Sequence, residues 1–139
     1  CAWVREFLQL KSGRISLMFQ SFAYKDGIPL DADLVFDVRC LSNPHYIEEL
    51  KPLTGLDPKV ASYLANKTQA ASLIEDIAKF LQRWIAEFEH DQRSYLTVAL
   101  GCTGGQHRSV YCAEQLAKKF QGQWPCLVRH RGLSLKGLG

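Results

Sequence analysis

The fold of this chain is decided by one stretch, Tyr95-Leu96-Thr97-Val98-Ala99-Leu100-Gly101-Cys102-Thr103-Gly104-Gly105-Gln106-His107-Arg108-Ser109. Its first six residues are mostly apolar and rich in β-forming types, which predicts a buried strand. Glycines then surround Cys102 and Thr103, and an apolar pattern of helical period begins at Ser109. A strand that passes through a glycine-rich turn into a helix is typical of a phosphate site, because backbone N–H groups and the positive helix end both face the anion.

The spacing of Cys102, Arg108 and Ser109 fits the pattern C-x5-R-S. This pattern is the signature of cysteine-dependent phosphatases, in which a thiolate attacks phosphorus and an arginine binds the phosphoryl oxygens. Gly101 stands where those enzymes usually carry a histidine, and the sequence identifies no general acid. A structural glycine turn with a half-buried cysteine is a further alternative. The cations His107 and Arg108 argue against it, because positive charge is disfavoured at a helix N-terminus unless an anion binds there.

The same stretch resembles the C-terminal domain of the RapZ family, which comprises bacterial RNase adapter proteins. The similarity runs through residues 101–111 and 113–117. Further similar blocks lie elsewhere in the chain, at residues 21–22, 27–29, 31–33, 35–39, 43–45, 53–57 and 129–131. The resemblance therefore covers most of the chain between residues 15 and 131.

The resemblance implies a non-catalytic adapter domain that binds a small regulatory RNA and senses a phosphorylated amino sugar. It also implies an endoribonuclease partner and a homo-oligomeric state. A cytoplasmic location is expected from the five cysteines, which include no C-x-x-C pair. Family members typically carry an N-terminal kinase-like domain with a nucleotide loop. The pattern G-x-x-x-x-G-K-[ST] does not occur in this sequence, so no nucleotide cofactor is expected in this chain. A third alternative, an oligomerisation module alone, would leave His107 and Arg108 unexplained.

The loop pattern and the resemblance together predict two overlapping sets of site residues. The phosphate-binding set is Cys102, Thr103, Gly104, Gly105, His107, Arg108, Asp37, Arg39, Asn43 and His45. The RNA-binding set is Arg39, His45, His107, Arg108, Lys118, Lys119, Arg129, His130 and Arg131. At least one of Gly104 and Gly105 is expected to need a positive φ or a close backbone approach. His45 and His107 are expected to gain charge as the pH falls towards about 5.5, which would strengthen RNA binding.

Composition supports a single domain whose cysteines are free thiols. The chain has 139 residues, of which 47% are hydrophobic, which is enough to bury a sizeable core. Five cysteines without a C-x-x-C pair indicate free thiols and no structural zinc, and no run is long and apolar enough to span a membrane. Residues 107–139 carry six lysines and arginines against one acidic residue, a charge that suits a polyanion partner.

The order of elements predicts an α/β fold. Strands are expected over residues 14–20, 34–38, 95–100 and 126–129, and helices over 58–89, with a break near 66–68, and over 109–121. This order favours a small, mainly parallel sheet of about four strands flanked by helices, with the ligand site at the carboxyl ends of the strands. Residues 1–13 are expected to be a linker or an N-terminal remnant, residues 14–131 the domain, and residues 132–139 a flexible tail.

Overall fold

The computed structural model describes residues 15–91 and 93–133 of the chain. Within these residues, the strands and the longer helices follow the order β1, β2, α1, α2, β3, α3, β4, and residues 131–133 after β4 are also helical. Their bounds are β1 Ser16–Ala23, β2 Leu34–Asp37, α1 Pro58–Ala65, α2 Thr68–His90, β3 Tyr95–Cys102, α3 Arg108–Phe120 and β4 Cys126–His130. The predicted linker lies outside the described residues, as does the predicted tail beyond Leu133.

All four strands are parallel and lie in the order β2-β3-β1-β4. The predicted α/β fold with a parallel sheet is therefore confirmed. Because the strands run in one direction, their carboxyl ends share one edge of the sheet, and the loops that follow β1, β2 and β3 emerge there. β2 and β3 pair directly, with Asp37 beside Gly101.

The first strand reaches further than its sequence pattern indicated. It continues to Ala23, because Ser21, Phe22 and Ala23 pair with Leu100–Cys102 of β3 and are buried. β3 likewise extends through Gly101 and Cys102. Two extra residues therefore bring Cys102 to the sheet edge, immediately before the glycine-rich loop.

The helical segment after residue 57 breaks where the sequence predicts. Asp57 is the N-cap of α1, with its carboxylate accepting from Lys59 N–H at 2.9 Å, and Pro58 occupies the first helical position. α1 ends at Ala65, and α2 begins two residues after Asn66. The break lets two helices pack on one domain where a continuous helix of 32 residues would extend about 48 Å.

The core lies between the sheet and the helices. Phe19 of β1 stacks on Phe120 of α3 with ring centroids 6.0 Å apart. The buried face of α2 carries aliphatic residues, namely Ile74, Ile77, Leu81 and Ile85. The neighbouring Trp84 is 40% exposed, because Ile85 takes the inward position one turn after Leu81. No helix of the described residues is long and apolar enough to cross a membrane.

Candidate anion-binding site

Residues 103–107, called here the β3–α3 loop, make a tight turn around Gly105. Gly105 has a φ of +68°, a left-handed conformation in which only glycine is free of steric penalty. A Cβ on this residue would also lie 2.9 Å from the backbone nitrogen of Ala23. The expectation of a glycine with positive φ is therefore confirmed at Gly105. Gly104 has open space where its Cβ would be.

Gly101 marks a difference from the phosphatase pattern. A Cβ at this position would overlap the ring of Phe22 and lie 2.6 Å from Cε2 of Tyr24. These two rings pack edge to face, with centroids 4.9 Å apart. The histidine that phosphatases carry at this position would therefore require the aromatic pair to move.

A cavity of about 330 Å³ lies where the loops meet at the carboxyl edge of the sheet. Three loops contribute to its wall, one after each of β1, β2 and β3. Its lining residues are Lys25, Asn43, His45, Tyr46, Cys102, Thr103, Gly104, Gln106, His107 and Arg108. The structure thus brings together most of the predicted phosphate-binding residues. Gly105 supports the loop from behind, and Asp37 and Arg39 lie beside the cavity.

Arg108 is a buried cation, with only 5% of its surface exposed. Its Nη1 donates to the carbonyl oxygens of Arg39 at 2.7 Å and Leu41 at 3.2 Å. Its Nε is buried and has no hydrogen-bond partner within the part of the chain that the structure describes. Carbonyl dipoles satisfy only part of a buried positive charge, so the guanidinium retains a strong preference for an anion.

The backbone around Arg108 adds further donors. α3 begins at Arg108, with His107 as its N-cap, so the N–H groups of its first turn have no acceptor within the helix. Among residues 15–91 and 93–133, no backbone hydrogen bond takes up the N–H groups of Gly104, Gly105 or His107. Unpaired N–H groups and a helix N-terminus at one cavity form a favourable environment for phosphate.

His107 lines the cavity but is tied to the protein. Its side chain is buried, and Nε2 lies 3.2 Å from the carbonyl oxygen of Leu50. Burial lowers the pKa of His107 below its ordinary 6.5, although backbone carbonyls of Leu50 and its neighbours partly oppose that shift. The expectation that His107 gains charge near its ordinary pKa is therefore wrong. A neutral imidazole here anchors the segment around Leu50 to the start of α3.

Cys102 ends β3 at the floor of the cavity. Only 2% of its surface is exposed, and its Sγ donates to Oγ of Ser109 at 3.2 Å. The C-x5-R-S spacing therefore places Cys102, Arg108 and Ser109 together in space. The nearby Cys112 is also buried, and burial raises the pKa of its thiol to about 12.

Arg39 and Asp37 pair with each other beside the cavity. The Arg39 guanidinium donates to both carboxylate oxygens of Asp37, at 2.7 to 3.1 Å, and stacks 4.0 Å above the centroid of the Tyr24 ring. The hydrogen bonds from Arg39 hold the pKa of Asp37 below its ordinary value. Arg39 serves the cavity through its main chain, because its carbonyl oxygen accepts from Arg108.

Asn43 and His45 shape the wall that follows β2. The side-chain oxygen of Asn43 accepts from the backbone N–H of His45 at 3.1 Å, which caps the short turn Pro44–Tyr46. Asn43 therefore orients this turn, and His45 and Tyr46 expose their side chains at the cavity mouth. Tyr46 is 85% exposed.

The predicted RNA-binding residues fall into two groups at opposite ends of α3. Lys118 and Lys119 lie in its last turn, exposed to solvent, and Lys119 pairs with Glu75 at 3.2 Å. Arg129 and Arg131 lie at the carboxyl end of β4, near the β3–α3 loop, and both approach the carboxylate of Asp31, at 3.9 and 4.0 Å.

His130 lies between those arginines but points into the fold. Its Nδ1 is 2.8 Å from Oγ of Ser21, and its Nε2 is 2.7 Å from Oε2 of Glu114. Both ring nitrogens therefore have partners within the domain. The side chain of His130 is only 12% exposed, so its position differs from that of a surface contact for RNA.

Sequence reasoning missed three lining residues, Lys25, Tyr46 and Gln106. Lys25 follows β1, which lies beside β3 in the sheet. The rule that ligands bind beyond the carboxyl ends of parallel strands could have drawn attention to it, since it is the first basic residue after that strand. Tyr46 and Gln106 adjoin His45 and His107 and carry no separate sequence signal.

The family described as the RapZ C-terminal domain matches residues 15–134. A nucleotide-binding protein of Methylibium petroleiphilum is 58% identical over 132 residues, which cover 95% of this chain and 43% of that protein. A nucleotide-binding protein of Thiobacillus denitrificans is 56% identical over 132 residues, covering 95% of this chain and 48% of that protein. One from Bordetella pertussis is 55% identical over 130 residues, covering 94% and 45%. The chain thus spans less than half the length of these relatives.

Proposed function

Because this chain belongs to the RapZ C-terminal domain family, we propose that it is a non-catalytic adapter domain that binds a small regulatory RNA and senses a phosphorylated amino sugar. The phosphoryl group of the ligand occupies the cavity at the β3–α3 loop. An endoribonuclease partner and self-association belong to the same proposal. The relatives are named nucleotide-binding proteins, and a nucleotide phosphate is a second source of the same anionic group.

The observation that carries the proposal is the buried guanidinium of Arg108. It lines the cavity, its Nε has no hydrogen-bond partner within the described residues, and its Nη1 donates to carbonyl oxygens. A phosphoryl oxygen would complete its hydrogen bonding and compensate its charge. Lys25 and His45, from the two other loops, add donors at the same cavity.

Calorimetric titration tests the small-ligand part of the proposal. The probes are inorganic phosphate and a hexosamine 6-phosphate, and a matched hexosamine without phosphate is the control. Saturable binding of the phosphorylated sugar, with no heat from the control, supports the proposal. Absence of binding to both phosphorylated probes at low salt would reject it.

The RNA part rests on the basic residues of the C-terminal third. Lys118, Arg129 and Arg131 are exposed, although Asp31 partly compensates both arginines. Filter binding of a structured RNA across a salt series measures how many phosphates the protein contacts. A steep decline of affinity with salt supports several contacts, and no binding at low salt would reject this part.

RNA and the small ligand are expected to compete, because both are proposed to place a phosphate at Arg108. The assay measures the RNA dissociation constant at increasing concentrations of hexosamine 6-phosphate. Linkage requires each ligand to weaken the other by the same factor. If both bind together with neither constant altered, they do not share a site.

A cysteine-dependent phosphatase remains the second candidate, because Cys102 and Arg108 line the same cavity. The thiol of Cys102 is 2% exposed, so it would need the loop to open before attacking phosphorus. Release of phosphate from an aryl phosphate, abolished by Cys102→Ser, would support this candidate. Equal background release by both proteins would exclude it.

A further inference from the structure

We propose that His130 is a positioning residue that holds the β3–α3 loop in its anion-binding shape, rather than a contact residue for RNA. This inference rests on the proposed function for the purpose of the loop. The support of the loop by the end of β4 does not depend on that function, because it follows from contacts within the fold.

His130 joins three elements of the fold. It ends β4, and its ring reaches Ser21 of β1 through Nδ1 and Glu114 of α3 through Nε2. The distances of 2.8 Å from Nδ1 to the Ser21 hydroxyl and 2.7 Å from Nε2 to the Glu114 carboxylate are those of two hydrogen bonds, and in the second Nε2–H donates to the carboxylate oxygen. Ser21 is fully buried, so this arrangement satisfies a hydroxyl that water cannot reach.

The cluster of Ser21, His130 and Glu114 is connected to the β3–α3 loop through the chain that follows β4. Two residues after His130, the chain passes directly over the loop, because a Cβ at Gly132 would lie 2.7 Å from the carbonyl oxygen of Gly105. On its other side Gly105 contacts Ala23, two residues after Ser21. Gly105 therefore lies between Ala23, the last residue of β1, and Gly132, which follows β4.

The same cluster also contacts the elements on both sides of the loop. Glu114 belongs to α3, the helix that carries Arg108 at its first position. Ser21 belongs to β1, which pairs with β3 up to Cys102. Loss of the imidazole would free the end of β4 and release its hold on Gly105, while leaving every residue that lines the cavity unchanged.

Hydrogen–deuterium exchange of the ligand-free protein tests the proposal directly. His130→Ala and Glu114→Ala should raise exchange of amides in the β3–α3 loop by about tenfold, as expected when a local opening becomes easier. Glu114→Gln keeps an acceptor for Nε2–H and should leave loop exchange near the parent value. Val128→Ala, which removes an exposed side chain from the same strand, is the matched control.

Exchange in the core of β1 and β3 separates positioning from general destabilisation. Unchanged loop exchange in His130→Ala would overturn the proposal, and so would a uniform rise across β1 and β3. If His130→Ala does not fold, the difference in loop exchange between Glu114→Ala and Glu114→Gln tests the proposal instead. A drop in RNA affinity with unchanged loop exchange would assign His130 to RNA contact and also overturn the proposal.

Titration of the same proteins with inorganic phosphate keeps this inference distinct from the proposed function. If the parent does not bind phosphate, the proposed function fails while the exchange comparison still reports on the loop. If the parent binds, His130→Ala should bind about tenfold more weakly and Glu114→Gln about as well as the parent.

Discussion

Replacement of Arg108 by alanine tests the central element of the site. The guanidinium is buried and its Nε is unpartnered within the described residues, so we expect it to donate at least one charged hydrogen bond to a bound phosphate. A charged hydrogen bond contributes roughly 1.5–3 kcal/mol, which corresponds to about a 10- to 150-fold loss of affinity. The affinity for a hexosamine 6-phosphate, measured by calorimetric titration, should fall within this range.

The same substitution affects the fold, and the two effects can be measured separately. Removal of the guanidinium leaves the carbonyl oxygens of Arg39 and Leu41 without their donor. An unsatisfied buried group costs about 1–3 kcal/mol, so the free energy of unfolding in urea should fall by a similar amount. Affinity should therefore be compared under conditions where both proteins are fully folded, as checked by circular dichroism.

Arg39→Ala is the matched control for Arg108→Ala. The Arg39 side chain pairs with Asp37 outside the cavity, and its backbone carbonyl, which accepts from Arg108, survives the substitution. We expect less than about a fivefold change in phosphate affinity, because exposed ion pairs contribute at most about 1 kcal/mol. Equal affinities for the parent and Arg108→Ala would refute the proposed role of the buried guanidinium. Equal losses in both variants would show general electrostatic attraction instead of a specific site.

Three further predictions follow from the loop, the helix end and the buried histidine. Gly105→Val should lower the free energy of unfolding by about 1–3 kcal/mol because of its positive φ, whereas Gly104→Val should leave urea denaturation nearly unchanged. Replacing Lys118 and Lys119 by glutamine should lower RNA affinity, with a salt slope reduced by up to about one unit per lost contact, while phosphate affinity stays constant. The lowered pKa of His107 means that the unfolded chain binds its proton first as pH falls below 6.5, so stability should decline there. His107→Gln should flatten that decline in urea denaturation measured across pH, and an unchanged slope would contradict the assignment.

The fold could be predicted from the sequence wherever the apolar period was clear. β3 and α3 were recognisable because Tyr95–Cys102 is mostly apolar and Arg108–Phe120 has a helical period. The order of strands in the sheet carries no such signal. Only the structure shows that β2 lies beside β3.

The site could be predicted in position but only partly in its contacts. Arg39 was expected in the pocket, yet Asp37 lies two residues before it with the opposite charge, and this nearby partner takes the guanidinium. The charge of His107 was assigned from its ordinary pKa, whereas burial decides its protonation. Ser21 and His130 are 109 residues apart, so their contact depends on a strand register that a single sequence does not reveal.

The geometry of α3 sets a limit on how strongly RNA and a small ligand can oppose each other. Lys118 lies ten residues after Arg108, about 15 Å along the helix, beyond the reach of a sugar phosphate held at the first turn. A small ligand in the cavity therefore displaces one RNA phosphate contact and leaves the lysines free to hold others. The coupling should then be no larger than the value of that one contact, about a 10- to 150-fold change in RNA affinity. By linkage, RNA should weaken the small ligand by the same factor. A much larger factor would require a second conformation of the domain, and a factor of one would mean that RNA does not enter the cavity.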